Sequence, residues 1–326
     1  MRERAQLALF RAVSSPTAPA PRYDIVVVDA DGSRTRVLVG ESRPNGVQPL
    51  LFDRPTWSAD GRNLVFTVDL GRRRGRLDSP TDVYTVRANG RGLRRLTRSG
   101  RAFAPVSSST GRTIAFAQRV PSARVPLTAS LWSMNADGGR PRELLPSSEG
   151  RQDLPGSWSP DGSLLAFTRS RYDREANTFA SSIYVVRADG SGLRKLADRA
   201  SDPAWSPDGR HIAFVTDRDE NGRLSYGDRA FFANELYVMD ADGGRPVRLT
   251  RTRRLNERSP AWSPDARRIA YQRGSVIGNA EGMVVLVANV DGTCTERIAA
   301  DPALRRWFAR PSWRPGRPRH GTPRRC

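Results

Sequence analysis

The feature that most constrains the fold is a unit of four short apolar runs that recurs along the chain. Its clearest copy covers residues 201–250. Trp205 closes the first run, a Ser-Pro-Asp-Gly turn follows at 206–209, and Phe214 lies in the second run. The third run contains Tyr237 and ends in an Asp-Gly-Gly turn, after which the fourth run begins. Such short runs, rich in β formers and separated by turn residues, predict four antiparallel strands joined by hairpins.

Several copies keep an aromatic residue nine positions after the tryptophan, as in Trp57 and Phe66, Trp158 and Phe167, and Trp262 and Tyr271. We call the residue at the tryptophan position the anchor and name each unit by it. The anchors recur about every 50 residues, which indicates a repeat array; they are Trp57, Ser107, Trp158, Trp205, Trp262 and Trp313. We expect less regular units where Ser107 and Thr110 depart from the pattern, and where Ala266 replaces the turn glycine.

The two ends of the chain complete each other. Trp313 begins a unit that the following residues do not continue. Apolar runs at 7–10, 25–28 and 37–39 match the second, third and fourth strands of a unit. One C-terminal strand plus three N-terminal strands would therefore make one sheet and close a ring. The sequence predicts an all-β fold, a six-bladed β-propeller whose last blade is closed in this way, because an open stack needs caps at both ends.

The repeat carries a family resemblance. The signature W-S-P-D-G-R-x-I-A-F, followed by L-Y-V-M-D-A-D-G-G-x-x-x-R-L-T, is best preserved from Trp205 to Thr250. It resembles the WD40-like, PD40-type repeat of TolB-like β-propellers and covers about residues 5–315. The resemblance implies one propeller domain over residues 1–315, and we expect residues 316–326 to be a disordered Arg/Pro-rich tail. It implies less about function, because such propellers serve as binding scaffolds, as peptidase domains and occasionally as enzymes.

The charge favours an acidic partner. The formal net charge is +20, and Lys195 is the only lysine, so the excess of arginine can also reflect a bias in genomic composition. Nucleic acid is an unfavoured partner, since the aromatic residues occupy strand positions and leave few for base stacking. We expect a protein or an acidic polymer as the partner and a monomeric chain. Cys294 and Cys326 are the only cysteines, which predicts no disulfide framework.

The location of the protein stays open at this point. No run of 18 apolar residues occurs, so no membrane span is predicted. No secretory signal is visible, because the apolar run at 7–10 is short and belongs to a strand. The resemblance implies the opposite, since TolB-like proteins are commonly periplasmic or secreted.

The units also predict where a binding site lies. With the strands of each unit lettered a to d, the a–b and c–d turns are short and share one end, the turn face. The b–c and d–a connections vary in length and share the opposite end, the loop face, where binding residues concentrate. The candidate ligand-binding residues on this face are Arg72, Arg73, Arg74, Arg251 and Arg254. Their guanidinium groups suit carboxylate, sulfate or phosphate; the alternative is a solvated basic surface.

The longest b–c connection contains a possible calcium loop. It reads D-x-D-x-N-G, with a further aspartate at position twelve. Calcium loops use these positions for oxygen ligands, with a backbone carbonyl at position seven. The candidate ligands are Asp217, Asp219, Asn221, the carbonyl of Arg223, and Asp228. The alternative is an acidic surface loop that turns at Asn-Gly.

Catalysis is the second hypothesis for function. No G-x-S-x-G motif occurs, and the only histidines are His211, at the start of a b strand, and His320, in the tail. The first hypothesis is therefore a non-catalytic scaffold. The alternative is a propeller enzyme, a hydrolase or lyase acting on a saccharide or lactone, with residues that converge from several blades.

Overall fold

The computed structural model describes residues 5–13, 22–31, 34–40, 47–49, 53–71, 79–121, 128–173, 175, 178–220, 223–226, 229–252, 255–274, 284–298 and 311–316. Their regular structure is entirely β, in 27 strands. Within these ranges no helix is long and apolar enough to cross a membrane.

The two ends of the chain share one sheet, as the sequence predicts. Its strand order is β27-β1-β2-β3. The members are β1 (Gln6–Val13), β2 (Arg22–Asp29), β3 (Arg36–Gly40) and β27 (Ser312–Trp313). Leu7 pairs with Trp313 and Ala8 with Ser312, both antiparallel. The Trp313 unit is therefore built from both termini.

The next three units follow in chain order. The Trp57 unit contains β4 (Gln48–Pro49), β5 (Thr56–Trp57), β6 (Asn63–Asp69), β7 (Thr81–Arg87) and β8 (Arg94–Arg95). The Ser107 unit contains β9 (Ala102–Ser107), β10 (Thr113–Arg119), β11 (Ala129–Asn135) and β12 (Arg142–Leu145). The Trp158 unit contains β13 (Arg151–Trp158), β14 (Leu164–Asp173), β15 (Thr178–Arg187) and β16 (Arg194–Asp198). A parallel pairing of Ala129 with Gln152 joins the last two units into one sheet.

The remaining units are four-stranded sheets of their own. The Trp205 unit contains β17 (Ala200–Trp205), β18 (His211–Thr216), β21 (Glu235–Asp240) and β22 (Val247–Arg248). Its b–c connection holds a separate hairpin of β19 (Arg223–Tyr226) and β20 (Arg229–Phe232). The Trp262 unit contains β23 (Asn256–Trp262), β24 (Arg268–Gly274), β25 (Val284–Asn289) and β26 (Glu296–Arg297).

The anchor tryptophans tie neighbouring units together. In four of the five anchor tryptophans the indole Nε1–H donates to the backbone carbonyl of the residue just before the preceding anchor, at 2.9–3.2 Å, whereas Trp205 Nε1 has no hydrogen-bond partner. The bonds run from Trp57 to Ser312, Trp158 to Val106, Trp262 to Ala204, and Trp313 to Ala261. A buried indole satisfies its only polar group in this way. Because the bond from Trp57 reaches the C-terminal strand, the sheets have a propeller-like arrangement.

The tight turns are closed by their own side chains. In the Trp205 unit, the carboxylate of Asp208 accepts from Ser206 Oγ and from the N–H of Arg210. Gly209 follows with φ of 73°. Ala266 occupies that position in the Trp262 unit with φ of 57°, and its N–H donates to Ser263 O at 2.9 Å. The expected irregularity is therefore absent from this turn, which keeps its shape in a backbone region that disfavours alanine.

One cysteine departs from the sequence analysis. Cys294, in the c–d turn of the Trp262 unit, is disulfide-bonded. The sequence predicted no disulfide framework and did not predict this single bond, because the spacing of two distant cysteines in the sequence does not report their proximity in space. The only other cysteine of the chain is Cys326, outside the described residues.

Candidate functional site on the loop face

A buried carboxylate lies where the c strand of the Trp205 unit enters from the loop face. Glu235 is fully buried. Arg248 Nη2 donates to its Oε1 at 3.0 Å, and Thr250 Oγ1 donates to its Oε2 at 2.6 Å. The N–H of Thr252 donates to Oε1 at 2.7 Å. These donors compensate the cost of burying the charge.

The Trp57 unit repeats this arrangement. Asp82 is fully buried and is held by the guanidinium of Arg95 and by Thr97 Oγ1, the latter at 2.6 Å. In both units the arginine follows the acid by 13 residues and the threonine follows the arginine by two. The R-L-T of the repeat signature is thus a clamp for an acid on strand c, which we call the R-L-T clamp.

A second buried acid lies beside Glu235. Glu257, at the start of β23, is fully buried and accepts from Arg273 Nε at 2.8 Å and from Thr252 Oγ1 at 2.9 Å. Burial, followed by the nearby charge of Glu235, raises the pKa of Glu257 to about 7 against the opposing effect of Arg273. Thr252 connects the two acids, since its N–H contacts one and its hydroxyl contacts the other.

The acids of the predicted calcium loop lie next to this cluster. Asp219 Oδ2 accepts the hydroxyl proton of Tyr237 and lies 3.3 Å from Arg248 Nη1. Burial, followed by the bond to Asp219, raises the pKa of Tyr237 to about 12. Asp217 Oδ1 accepts from Arg199 Nε at 3.0 Å. Both carboxylates therefore already have cationic partners.

The structure describes only one of the other candidate calcium ligands. Arg223 begins strand β19, so the second half of the predicted loop enters a hairpin. Asn221 and Asp228 lie outside the described residues. Within the described part of the chain, no group of three or more His, Cys, Asp or Glu side chains is arranged to hold a metal ion.

The predicted basic surface is described only in part. Arg251 is exposed on the loop face, directly after the threonine of its R-L-T clamp. Arg98 has the same position in the Trp57 unit and is also exposed. Arg72, Arg73, Arg74 and Arg254 lie outside the described residues.

Other charged groups have structural partners. Asp153 is fully buried and receives two bonds of 2.8 Å from the guanidinium of Arg169. His211 lies on the turn face, with Nε2 4.0 Å from Asp240 Oδ1 and far from these acids along its strand. The buried acids were not predicted from the sequence, although the spacing of 13 residues between acid and arginine was a usable signal.

The comparisons with curated proteins match parts of the chain. No family model matches it. An uncharacterised peptidase of Bacillus subtilis is 33% identical over 115 residues, which is 34% of this chain and 16% of that protein. The Tol-Pal system protein TolB of Thioalkalivibrio sulfidiphilus is 32% identical over 124 residues, 36% of this chain and 26% of that protein. The chain thus aligns with well under half the length of either relative.

The solved structures match nearly the whole chain. TolB from Acinetobacter baumannii is similar with a TM-score of 0.68 at 17% identity, covering 96% of this chain and 67% of that one. An oligogalacturonate lyase from Vibrio parahaemolyticus is similar with a TM-score of 0.53 at 14% identity, covering 86% and 76%. Together with the sheet order, these similarities define a β-propeller protein. The relatives support a TolB-like propeller family, as the repeat signature predicted.

Proposed function

We propose that this chain is a six-bladed β-propeller that acts as a non-catalytic scaffold and binds a protein or an acidic polymer through its loop face. The observation that carries the proposal is the separation of charge at that end. The clamped acids there, Glu235 and Asp82, are buried and held by arginine and threonine. The exposed acids Asp198 and Glu220 are paired with Lys195 and Arg199. The exposed groups include Arg98, Arg101 and Arg251. A face with exposed positive charge attracts negatively charged partners.

Six blades are proposed because the anchor bonds connect the units in order. The bond from Trp313 to Ala261 and the bond from Trp57 to Ser312 link the Trp262, Trp313 and Trp57 units across the chain ends. A ring of units at all of the anchors then contains six blades. An experimental structure with a different number of blades would overturn this count.

The binding proposal is tested with poly-L-glutamate as the acidic probe. We expect its affinity to fall steeply between low and physiological salt, because exposed charges are screened over about 8 Å at 0.15 M ionic strength. Reversing the charge at Arg98 and Arg251 should weaken binding at low salt. The matched control reverses Arg91 and Arg210, two exposed arginines of the turn face, with the same change in net charge. An equal loss of affinity in both double variants, or an affinity that does not change with salt concentration, contradicts the proposed binding face.

A protein partner is favoured over a polymer by the relatives. A curated relative is named as a Tol-Pal system protein, so its name places it in an assembly with other proteins. In a competition experiment, an acidic segment of a partner protein should displace poly-L-glutamate from wild type.

Calcium at residues 217–228 remains a separate proposal, as a structural ion that orders the longest b–c connection. Calcium would have to replace Arg199 at Asp217, and Tyr237 and Arg248 at Asp219. Melting curves with calcium and with EDTA should differ for wild type, and Asp217→Ala should remove the difference. Asp198→Ala is the control, because that exposed acid pairs with Lys195 outside the loop. Identical wild-type curves reject the ion.

The alternative function, a propeller hydrolase or lyase acting on a saccharide or lactone, is favoured by one observation. A carboxyl group with a pKa of about 7, as at Glu257, is tuned for general acid or base catalysis at neutral pH. The full burial of Glu257 and its bonds to Arg273 and Thr252 argue for a structural role instead. Turnover of oligogalacturonate by wild type, abolished in Glu257→Gln, would establish the enzyme and reject the scaffold.

A further inference from the structure

Each junction at a bonded anchor tryptophan uses the same neighbours. The indole lies in one hydrophobic cluster with a large aliphatic residue from its own b strand and an alanine from the b strand of the preceding unit. The pairs are Leu64 and Ala8 at Trp57, Leu165 and Ala115 at Trp158, Ile269 and Ala213 at Trp262, and Leu7 and Ala270 at Trp313. These four junctions therefore share one slot for an indole between adjacent units, and Trp205, whose Nε1 has no hydrogen-bond partner, lies outside this pattern.

The Ser107 junction has the slot without the indole. Strand pairing identifies Ile114, opposite Ser107, and Val65, opposite Thr56, as the equivalent neighbours. Ser107, Ile114 and Val65 all line a groove of about 760 Å³, a size typical of ligand sites. Val65 replaces the alanine of the other junctions and fills part of the space, yet the groove remains. We call it the Ser107 groove; it opens on the turn face, between the a–b turns at 58–60 and 110–111.

We propose that the Ser107 groove binds a tryptophan side chain of a partner polypeptide. The same framework already holds four indoles elsewhere in the molecule, and Val65 and Ile114 line the groove at the positions whose counterparts flank those indoles. At the other junctions the indole N–H meets a carbonyl one residue before the preceding anchor. The residue at that position here is Thr56. Its hydroxyl donates to Pro105 O at 3.1 Å, so a side chain of the Trp57 unit links the two units in place of the absent indole.

The charged rim also fits an indole. Arginine covers the anchor ring at two other junctions, with Arg314 Cζ 5.3 Å from the Trp57 centroid and Arg268 Cζ 5.5 Å from the Trp313 centroid. Arg87 and Arg94 line the Ser107 groove and place cations where they can contact a guest ring. Arg94 is fixed there because its Nη1 donates to Asp137 O at 2.9 Å.

The polar part of the groove favours an indole that belongs to a polypeptide over free indole. Hydroxyl and amide side chains line it as well, from Ser58, Asn63, Thr110 and Thr113. They provide donors and acceptors for the main chain on either side of an inserted tryptophan, which a free indole lacks. Because the groove is on the turn face, this inference does not depend on the function proposed for the loop face.

The test uses N-acetyl-L-tryptophanamide, which carries the side chain and two amide groups. We expect it to raise the melting temperature of wild type in proportion to occupancy. The double variant Ser107→Trp with Val65→Ala recreates the pair found at the other junctions. It should melt above wild type without ligand and should no longer respond to the amide. Ser107→Phe is the second filling variant, read by the same titration if the double variant does not fold.

Position and chemistry are tested separately. Arg87→Ala should weaken amide binding about five-fold, the equivalent of one cation–π contact. Arg187→Ala is the matched control, since Arg187 has the same repeat position in the Trp158 unit, and it should bind as wild type does. No melting shift in wild type overturns the proposal, as does a shift that persists in the filled variants. Free indole binding ten-fold tighter than the amide would overturn the assignment to a polypeptide.

Discussion

Glu257 allows a quantitative prediction about pH and stability. Its pKa is about 7 in the folded chain against an ordinary value of 4.5. Between these values the folded state holds a proton that the unfolded state has lost, so the free energy of unfolding falls as pH rises. The contribution is complete below pH 4.5 and is lost as pH passes 7. A shift of this size corresponds to about 3 kcal/mol, most of it lost between pH 5 and 8.

Glu257→Gln should remove this dependence, because the amide is uncharged throughout the range. Urea unfolding at pH 5, 6, 7 and 8 measures the slope for wild type and variant. Asp161→Asn is the control: the hydroxyl of Ser159 lowers the pKa of Asp161, which stays ionised over the whole range and should leave the slope unchanged. If Glu257→Gln keeps the wild-type slope, burial does not govern the titration of this carboxyl group.

Three further predictions concern the scaffold. Trp262→Ala should lower the free energy of unfolding by about 3–5 kcal/mol in urea titrations, because it removes a buried indole and its bond to the preceding unit; a loss below about 1 kcal/mol would contradict the role of the anchor. Gly209→Ala should cost about 1–2 kcal/mol in thermal unfolding, since φ is 73°, whereas Ala266→Gly should cost nothing. Cys294 should give no reaction with a thiol reagent in the folded, unreduced protein, and a reactive thiol at this position would disprove its disulfide.

The fold was largely predictable because its signals are local and repeated. The interval between anchor and aromatic residue, and the turn residues, fix strand length and hairpin position in each unit. The pairing of Leu7 with Trp313 was predictable for the same reason. The apolar runs at the two termini are each an incomplete unit, and together they supply the four strands of one sheet. The b–c connection of the Trp205 unit was harder to predict, because β19 and β20 form a hairpin in a stretch whose sequence also matches a calcium loop.

The loop face was less predictable, because its chemistry depends on contacts between distant residues. Asp219 matches a calcium ligand in sequence, yet Tyr237 and Arg248 contact it from the neighbouring strands. No linear motif reports that Glu235 and Glu257, from different units, share Thr252. The repeat itself held one missed signal, the R-L-T clamp, since its acid and arginine lie at constant spacing.

The R-L-T clamp bears on our proposal that the buried acids of this basic protein have a structural role and not a catalytic one. In the Trp158 unit, Ser182 stands where Glu235 and Asp82 stand in their units, and Lys195 replaces the arginine. The acid and its arginine are thus lost together there. The other units do not repeat this joint loss: Val284 takes the acid position of the Trp262 unit although Arg297 keeps the arginine position. In the Trp313 unit, Asp24 keeps the acid position although Val37 takes that of the arginine. The structural role of Glu235 and Asp82 therefore rests on their own hydrogen bonds. A catalytic acid would need substrate contact, whereas these carboxylates direct their oxygens at their own chain. This orientation of the carboxylates supports our proposal that the exposed arginines around them supply the recognition chemistry of the loop face.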